Sequence, residues 1–169
     1  MVRFFTYCWQ HSEVLRYPDG ERVVVAYGSQ FARRGICPMD EVYFVSIRGG
    51  RIHLLSKMVV RVVTHSAEHC RRYAGVAPEP AAEYLIAGSY TPARLVLLPG
   101  ELARSLRFIR GKEWVALNFR DETLVDRQSL RSVRRVSAPS AFCGDISDRR
   151  GYEAKEKSLK RGRPETKMS

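Results

Sequence analysis

The sequence predicts an α+β fold: a strongly curved sheet or small β-barrel with flanking helices. Three observations carry this reading. About six segments are strand-like and two or three are helical, mixed along the chain rather than alternating regularly. Arg48-Gly49-Gly50-Arg51 lies between two apolar β-prone runs and reads as a hairpin, since glycine accepts the positive φ that tight hairpin turns require. The 169 residues suit one domain with a core of its own, without metal or disulfide staples.

Val2 to Trp9 is aromatic and β-prone, a first strand. Tyr17-Pro18-Asp19-Gly20 is a turn, with Pro at its second position and Gly at its fourth. Val23 to Ala26 reads as a short strand or the far arm of that turn. Ser29 is placed to cap one turn of helix through Phe31, Ala32 and Arg33, which Gly35 ends. Glu41 to Ile47 is a largely buried strand, and Ile52 to Val63 returns from the hairpin, long enough to bend, with Lys57 as the candidate bulge. Ser66 caps a helix from Ala67 to Tyr73, closed by Gly75. Val76 to Ala82 is a loop. Glu83 to Ala87 and Arg94 to Leu98 are further strands. Pro99 opens a helix to about Phe108, with Leu102, Leu106 and Ile109 at helical spacing. Trp114 to Phe119 is another strand. Leu124 to Val136 is cationic and partly helical, with Leu130 and Val133 facing inward, and residues 137–140 start a short helix or turn. The folded domain spans 1–149. Residues 150–169 show no apolar pattern, carry seven basic residues against three acids, and read as a disordered tail.

The formal net charge is +11, which points toward an anionic polymer, nucleic acid above a membrane surface. Arg33, Arg34 and Arg48, with the cluster Arg131, Arg134 and Arg135, are the candidate phosphate-binding side chains. Among the early aromatics most belong in a core, because alternation along a strand buries every second side chain. Trp9 at a strand end and Tyr27 beside Gly28 and Ser29 are the better candidates to stack a base. Trp114 reads either way.

Cys8, Cys37, Cys70 and Cys143 have no CxxC spacing and read as reduced, mostly buried thiols. His65 and His69 are four apart, yet Ser66 as helix cap places His65 outside the helix, and a zinc site wants three or four ligands, so neither metal nor cofactor is expected. The chain carries no GxSxG elbow, no GxxxxGK[ST] loop and no GxGxxG after a strand. Its paired acids Asp40-Glu41 and Asp121-Glu122 sit at turns, so the expectation is a non-enzyme. No signal peptide or membrane-length apolar run is read, which places the protein in the cytoplasm by expectation.

Arg34-Gly35-Ile36-Cys37-Pro38-Met39-Asp40-Glu41-Val42-Tyr43-Phe44-Val45 resembles the RG(V/I)xPGDxVYxV strand opening of PUA-superfamily domains, and is most similar to the EVE-like, YTH-related branch. The following GGRIHLLSKMVV resembles the second barrel strand of that family. Asp126 to Val136 is similar to a QSLRxxRxL segment in bacterial proteins with such a domain, some with an HNH nuclease attached. Met39 stands where the family has glycine, and no histidine-rich nuclease module is present. The resemblance implies a PUA-like barrel whose cleft receives a single, often modified base. By position, Tyr7, Trp9 and Tyr27 to Gln30 would line it, with Ser29 or Gln30 bonding the base edge. The expected function is a non-catalytic nucleic-acid reader of DNA or RNA, with a separate nuclease or other effector as a further partner. The alternatives are an ASCH-like hydrolase of a modified nucleoside, for which Lys57 and Thr6 are available without an obvious glutamate, and a protein-interaction module with a basic surface.

Overall fold

The computed structural model describes residues 2–121, 124–126, 130 and 133–137. In chain order the elements are β1 (Phe4–Cys8), α1 (His11–Val14), β2 (Val25–Gly28), β3 (Glu41–Arg48), β4 (Arg51–Thr64), α2 (Ala67–Ala74) and β5 (Glu83–Tyr90). Then follow β6 (Val96–Leu97), α3 (Gly100–Ser105), β7 (Arg107–Arg110), β8 (Glu113–Ala116) and β9 (Val133–Val136).

Among the described residues these strands form one mixed sheet in the order β2-β5-β4-β3-β1-β9-β7-β8, with β6 beside β4. β1 and β3 run parallel; the other pairs are antiparallel. The α+β class holds, but the sheet does not close into a barrel. Closure needs the two end strands to meet. Here β9 occupies the free edge of β1 and β7–β8 extend the sheet outward, so β2 and β8 remain ends of an open path.

The β3–β4 hairpin follows its sequence. Gly49 and Gly50 take φ of 54° and 75°, and Arg48 pairs with Arg51 across the turn, the positive-φ pair that matches strand twist. β4 bulges at Leu55 rather than Lys57, since Phe44 faces Ser56 while Val45 faces Leu54, and again at Arg61, where Val60 faces Ala87 and Val62 faces Ile86. β3 is central, and Val42 to Ser46 are all buried. One face packs Val42 and Phe44 with Phe5, Trp9, Phe31, Met58 and Leu85.

The approach to β3 is tied down by Asp40, only 2% exposed. Its Oδ1 accepts from the backbone N and Nε of Arg3, 3.1 Å each. Its Oδ2 accepts from Arg3 Nη2 at 2.6 Å and from Cys37 N at 2.8 Å. The turn it holds, Cys37 to Asp40, puts Met39 at φ 74°. This is the left-handed region that favours glycine.

Further local expectations need correction, among them the strand read at Trp114 to Phe119, which is Glu113–Ala116. The turn after α1 is shifted by one residue: Glu21 N donates to Pro18 O, and Gly20, at φ 89°, is the third residue of the turn. Arg94 to Leu98 yields strand only at Val96–Leu97. α3 stops at Ser105 because Leu106 is extended, and Phe108 and Ile109 belong to β7. Residues 133–136 form strand β9 rather than helix, although Leu130 and Val133 are buried as expected. Of the thiols, Cys70 is buried, Cys8 half-buried and Cys37 exposed, so Cys37 departs from the buried expectation. Arg131, Cys143 and residues 150–169 lie outside the described residues. No helix among the described residues is long and apolar enough to cross a membrane.

Candidate nucleic-acid interface

β1 has the strand period of two, so Phe5 and Tyr7 share one face, and Trp9 continues it into the core. Trp9 is 4% exposed. Its ring lies 4.9 Å from that of Tyr17 at 28° and 4.6 Å from that of Phe44. No face is left for a base, so Trp9 is a core residue and not a pocket wall. Tyr7 meets Phe31 edge-on at 5.3 Å, and its hydroxyl donates to Tyr27 O at 2.8 Å. Burial pushes the Tyr7 phenol up to about 12, helped by nearby Glu13, Tyr27 and Cys8.

The slot expected between Tyr7 and the Tyr27–Gln30 segment is filled. A Cβ at Gly28 would lie 2.8 Å from Phe31 Cζ and 3.2 Å from Tyr7 Oη. The hydroxyl of Tyr27 accepts from Arg16 Nη1 at 2.5 Å, and that guanidinium pairs with Glu79 at 2.6 Å. Ser29 is exposed, and half-buried Gln30 accepts from Arg34 Nη2 at 3.3 Å. Tyr7 and Tyr27 therefore do meet, but to close the core rather than to open a pocket.

The turn that carries Arg33 and Arg34 is built by a residue that reads in the sequence only as the start of a strand. The buried Glu83 carboxylate accepts from Phe31 N, and from Ala32 N at 3.1 Å. Gly35, at φ 74°, ends the turn with its N–H on Ala32 O. Both arginines are exposed on it.

The arginines do not ring one slot. Arg134 and Arg135 are neighbours on β9, so they point to opposite faces. Arg134 is half-buried, and burial pushes its guanidinium pKa down, with the charges of Arg34 and Arg110 pushing the same way. Phe108 pairs with Val136, so by strand alternation Arg110 and Arg134 lie on the same face of β7 and β9. Arg34, Arg110 and Arg134 thus form one positive cluster. Arg135 lies on the other face, 5.8 Å from the ring centre of Trp114. Arg48 is elsewhere, donating to His11 Nδ1 at 2.8 Å.

Arg48 borders a cleft of about 440 Å³ with Arg94, Asp19 and Tyr17 and the apolar side chains of Val14, Leu55 and Leu95. Trp9 braces the Tyr17 ring there, and burial raises the Tyr17 phenol pKa. The volume suits a base-sized ligand.

A second polar group sits on the face of β3 opposite the main core. Glu41 Oε2 accepts from the Tyr43 hydroxyl at 2.7 Å and lies 3.6 Å from Lys57 Nζ. The β3–β4 register, which pairs Tyr43 with Lys57, brings the Glu41 carboxylate beside that lysine. Thr6 pairs in register with Tyr43 but is 1% exposed, with Oγ1 on Arg134 O at 3.5 Å. His65 Nδ1 is 2.8 Å from Ala82 O and His69 Nδ1 2.9 Å from Thr64 Oγ1, so the two rings serve separate partners.

Comparison with protein-family models, with curated proteins and with solved structures finds no match for this chain.

Proposed function

We propose that this protein is a non-catalytic nucleic-acid-binding domain with a PUA-like function, acting in the cytoplasm on DNA or RNA alongside a separate nuclease or other effector. The observation that carries the proposal is the cluster of Arg34, Arg110 and Arg134. Three segments far apart in sequence contribute to it: the charged form of half-buried Arg134 is disfavoured first by burial and then by the charges of Arg34 and Arg110, and a phosphate would favour that charge through bidentate hydrogen bonds. The net charge of +11 supports the same partner. A flipped or modified base would enter the Tyr17 cleft, where Arg48, Arg94 and Asp19 offer donors and an acceptor for its edge. The test is fluorescence anisotropy at fixed salt with plain and modified oligonucleotides. Tyr17→Ala is expected to remove any preference for the modified base, and to leave the affinity for plain strands within about twofold, since phosphate contacts carry no sequence information. Equal binding of every plain and modified strand by the wild type would refute base reading.

Glu41 beside Lys57 favours one rival, hydrolysis of a modified nucleoside. A lysine paired with a carboxylate can serve in proton transfer. The buried Thr6 leaves that constellation without an accessible hydroxyl from this residue. Mass spectrometry of modified nucleosides incubated with pure protein decides: turnover abolished by Lys57→Ala supports the hydrolase, and no turnover supports the reader.

A further inference from the structure

β8 ends the described sheet on one side, and one of its faces holds an indole in solvent. Arg107 pairs with Ala116 and Ile109 with Trp114, so these four side chains share a face. The Phe108–Val136 pairing puts Arg135 on that same face, in agreement with its guanidinium lying 5.8 Å from the Trp114 ring centre. Trp114 is 45% exposed, while Ile109 is half-buried beside it. Glu113, the acid of this hairpin, pairs in register with Arg110 and so lies on the other face. The hairpin tip adds exposed Arg110 and Lys112, with Gly111 at φ 65° turning the chain.

We propose that the face of β7–β8 that carries Trp114, with Arg135 of β9 at its margin, is a stacking platform for an unpaired base of a single-stranded nucleic acid. Trp114 is the ring on which the base lies, and Arg135 is the cation that holds the adjoining phosphate; Arg107 already donates from Nη1 to Arg104 O at 2.7 Å and to Leu106 O at 3.1 Å. The inference rests on the nucleic-acid reading above and adds a second place for bases, where the unpaired bases of a single strand stack, apart from the Tyr17 cleft proposed for a flipped base. An exposed aromatic on a flat strand surface flanked by arginines suits single strands, because every unpaired base offers a π-face and the backbone follows the positive charge. A duplex keeps its base faces stacked internally and gains only the charge. Among the described residues Tyr73, a further exposed ring with arginine neighbours, is a poorer platform: Arg61 and Arg72 lie 5.2 and 5.6 Å from its centre and His69 meets it edge-on at 5.8 Å.

The test compares wild type, Trp114→Ala and Trp114→Phe for binding to a short oligothymidylate and to an abasic strand of equal length, which keeps the phosphates and lacks the bases. Trp114→Ala is expected to weaken oligothymidylate binding by roughly 5- to 100-fold, the range for losing one stacked base, to leave the abasic strand unaffected, and Trp114→Phe to recover part of the loss. Oligothymidylate should also quench tryptophan fluorescence in the wild type, since the second tryptophan, Trp9, is buried. Unchanged oligothymidylate binding by Trp114→Ala, or an equal loss on both strands, overturns the platform while nucleic-acid binding stands. Failure of the wild type to bind either strand overturns the underlying reading as well.

Discussion

Met39 shows how one residue can be at odds with its turn. A side chain at φ 74° carries a steric cost that glycine avoids, and its exposure of 66% means the methionine gives little burial in return. Met39→Gly is expected to stabilise the fold by about 0.5–1 kcal/mol, read as a higher urea midpoint; a lower midpoint would mean the turn gains more from methionine than it loses. Tyr7 makes a pH prediction. Its folded pKa of about 12 exceeds the value of about 10 for an exposed phenol. The folded state therefore keeps its proton longer, and the resulting stability is complete below pH ~10 and lost as pH rises toward ~12. Tyr7→Phe should flatten the stability decline over that window by about 2 kcal/mol, with the smaller rise at Tyr17 sustaining part of the slope. Equal slopes in urea titrations across that range would show that Tyr7 ionises normally. Trp9, in turn, is a stability residue: cutting it to alanine would cost about 3–5 kcal/mol of core packing and could not report on base binding.

At the scale of elements, the hairpin tests how tightly turn chemistry holds the sheet. An added Cβ at Gly50 would sit 2.8 Å from Leu124 Cδ2, whereas at Gly49 it would meet nothing within 4 Å. Both residues have positive φ, so Gly49→Ala is expected to cost about 1 kcal/mol and Gly50→Ala about 2 kcal/mol or more; equal losses in thermal unfolding would mean Leu124 yields freely. This hairpin, the Ser66 cap of α2 and its Gly75 terminator were legible because their signals are local. The misread elements share a different cause. Leu102, Leu106 and Ile109 fit helical spacing, but Leu106 and Phe108 also alternate as a strand does, and pairing with β8 and β9 decides between the two. The Leu130 and Val133 spacing carried the same ambiguity, resolved by β1 pairing with β9. Glu83 capping the Arg33–Arg34 turn and Glu41 beside Lys57 depend on contacts between segments, which no local pattern encodes. The same is true of Trp9: its place at a strand end suggested an opening, and only the packing of Tyr17 and Phe44 reveals a covered ring.

For the whole molecule the proposed function is electrostatic: Arg34, Arg110 and Arg134 would together grip phosphate, and other parts of the chain would add to it. Each phosphate neutralised releases counterions, so the logarithm of the binding constant falls with the logarithm of salt in proportion to the number of phosphates held. The basic residues of 150–169 would contribute in the same way, without regard to base sequence, and deleting them should make the dependence shallower. The most direct measurement is the salt dependence of duplex binding by wild type and by the double variant Arg34→Gln/Arg134→Gln, both shown to be folded. Weaker binding by the variant is expected at every salt concentration, with a slope smaller in magnitude by about 2, close to one for each arginine removed from a phosphate. Parallel lines of equal affinity, or no binding by the wild type even at low salt, would contradict it.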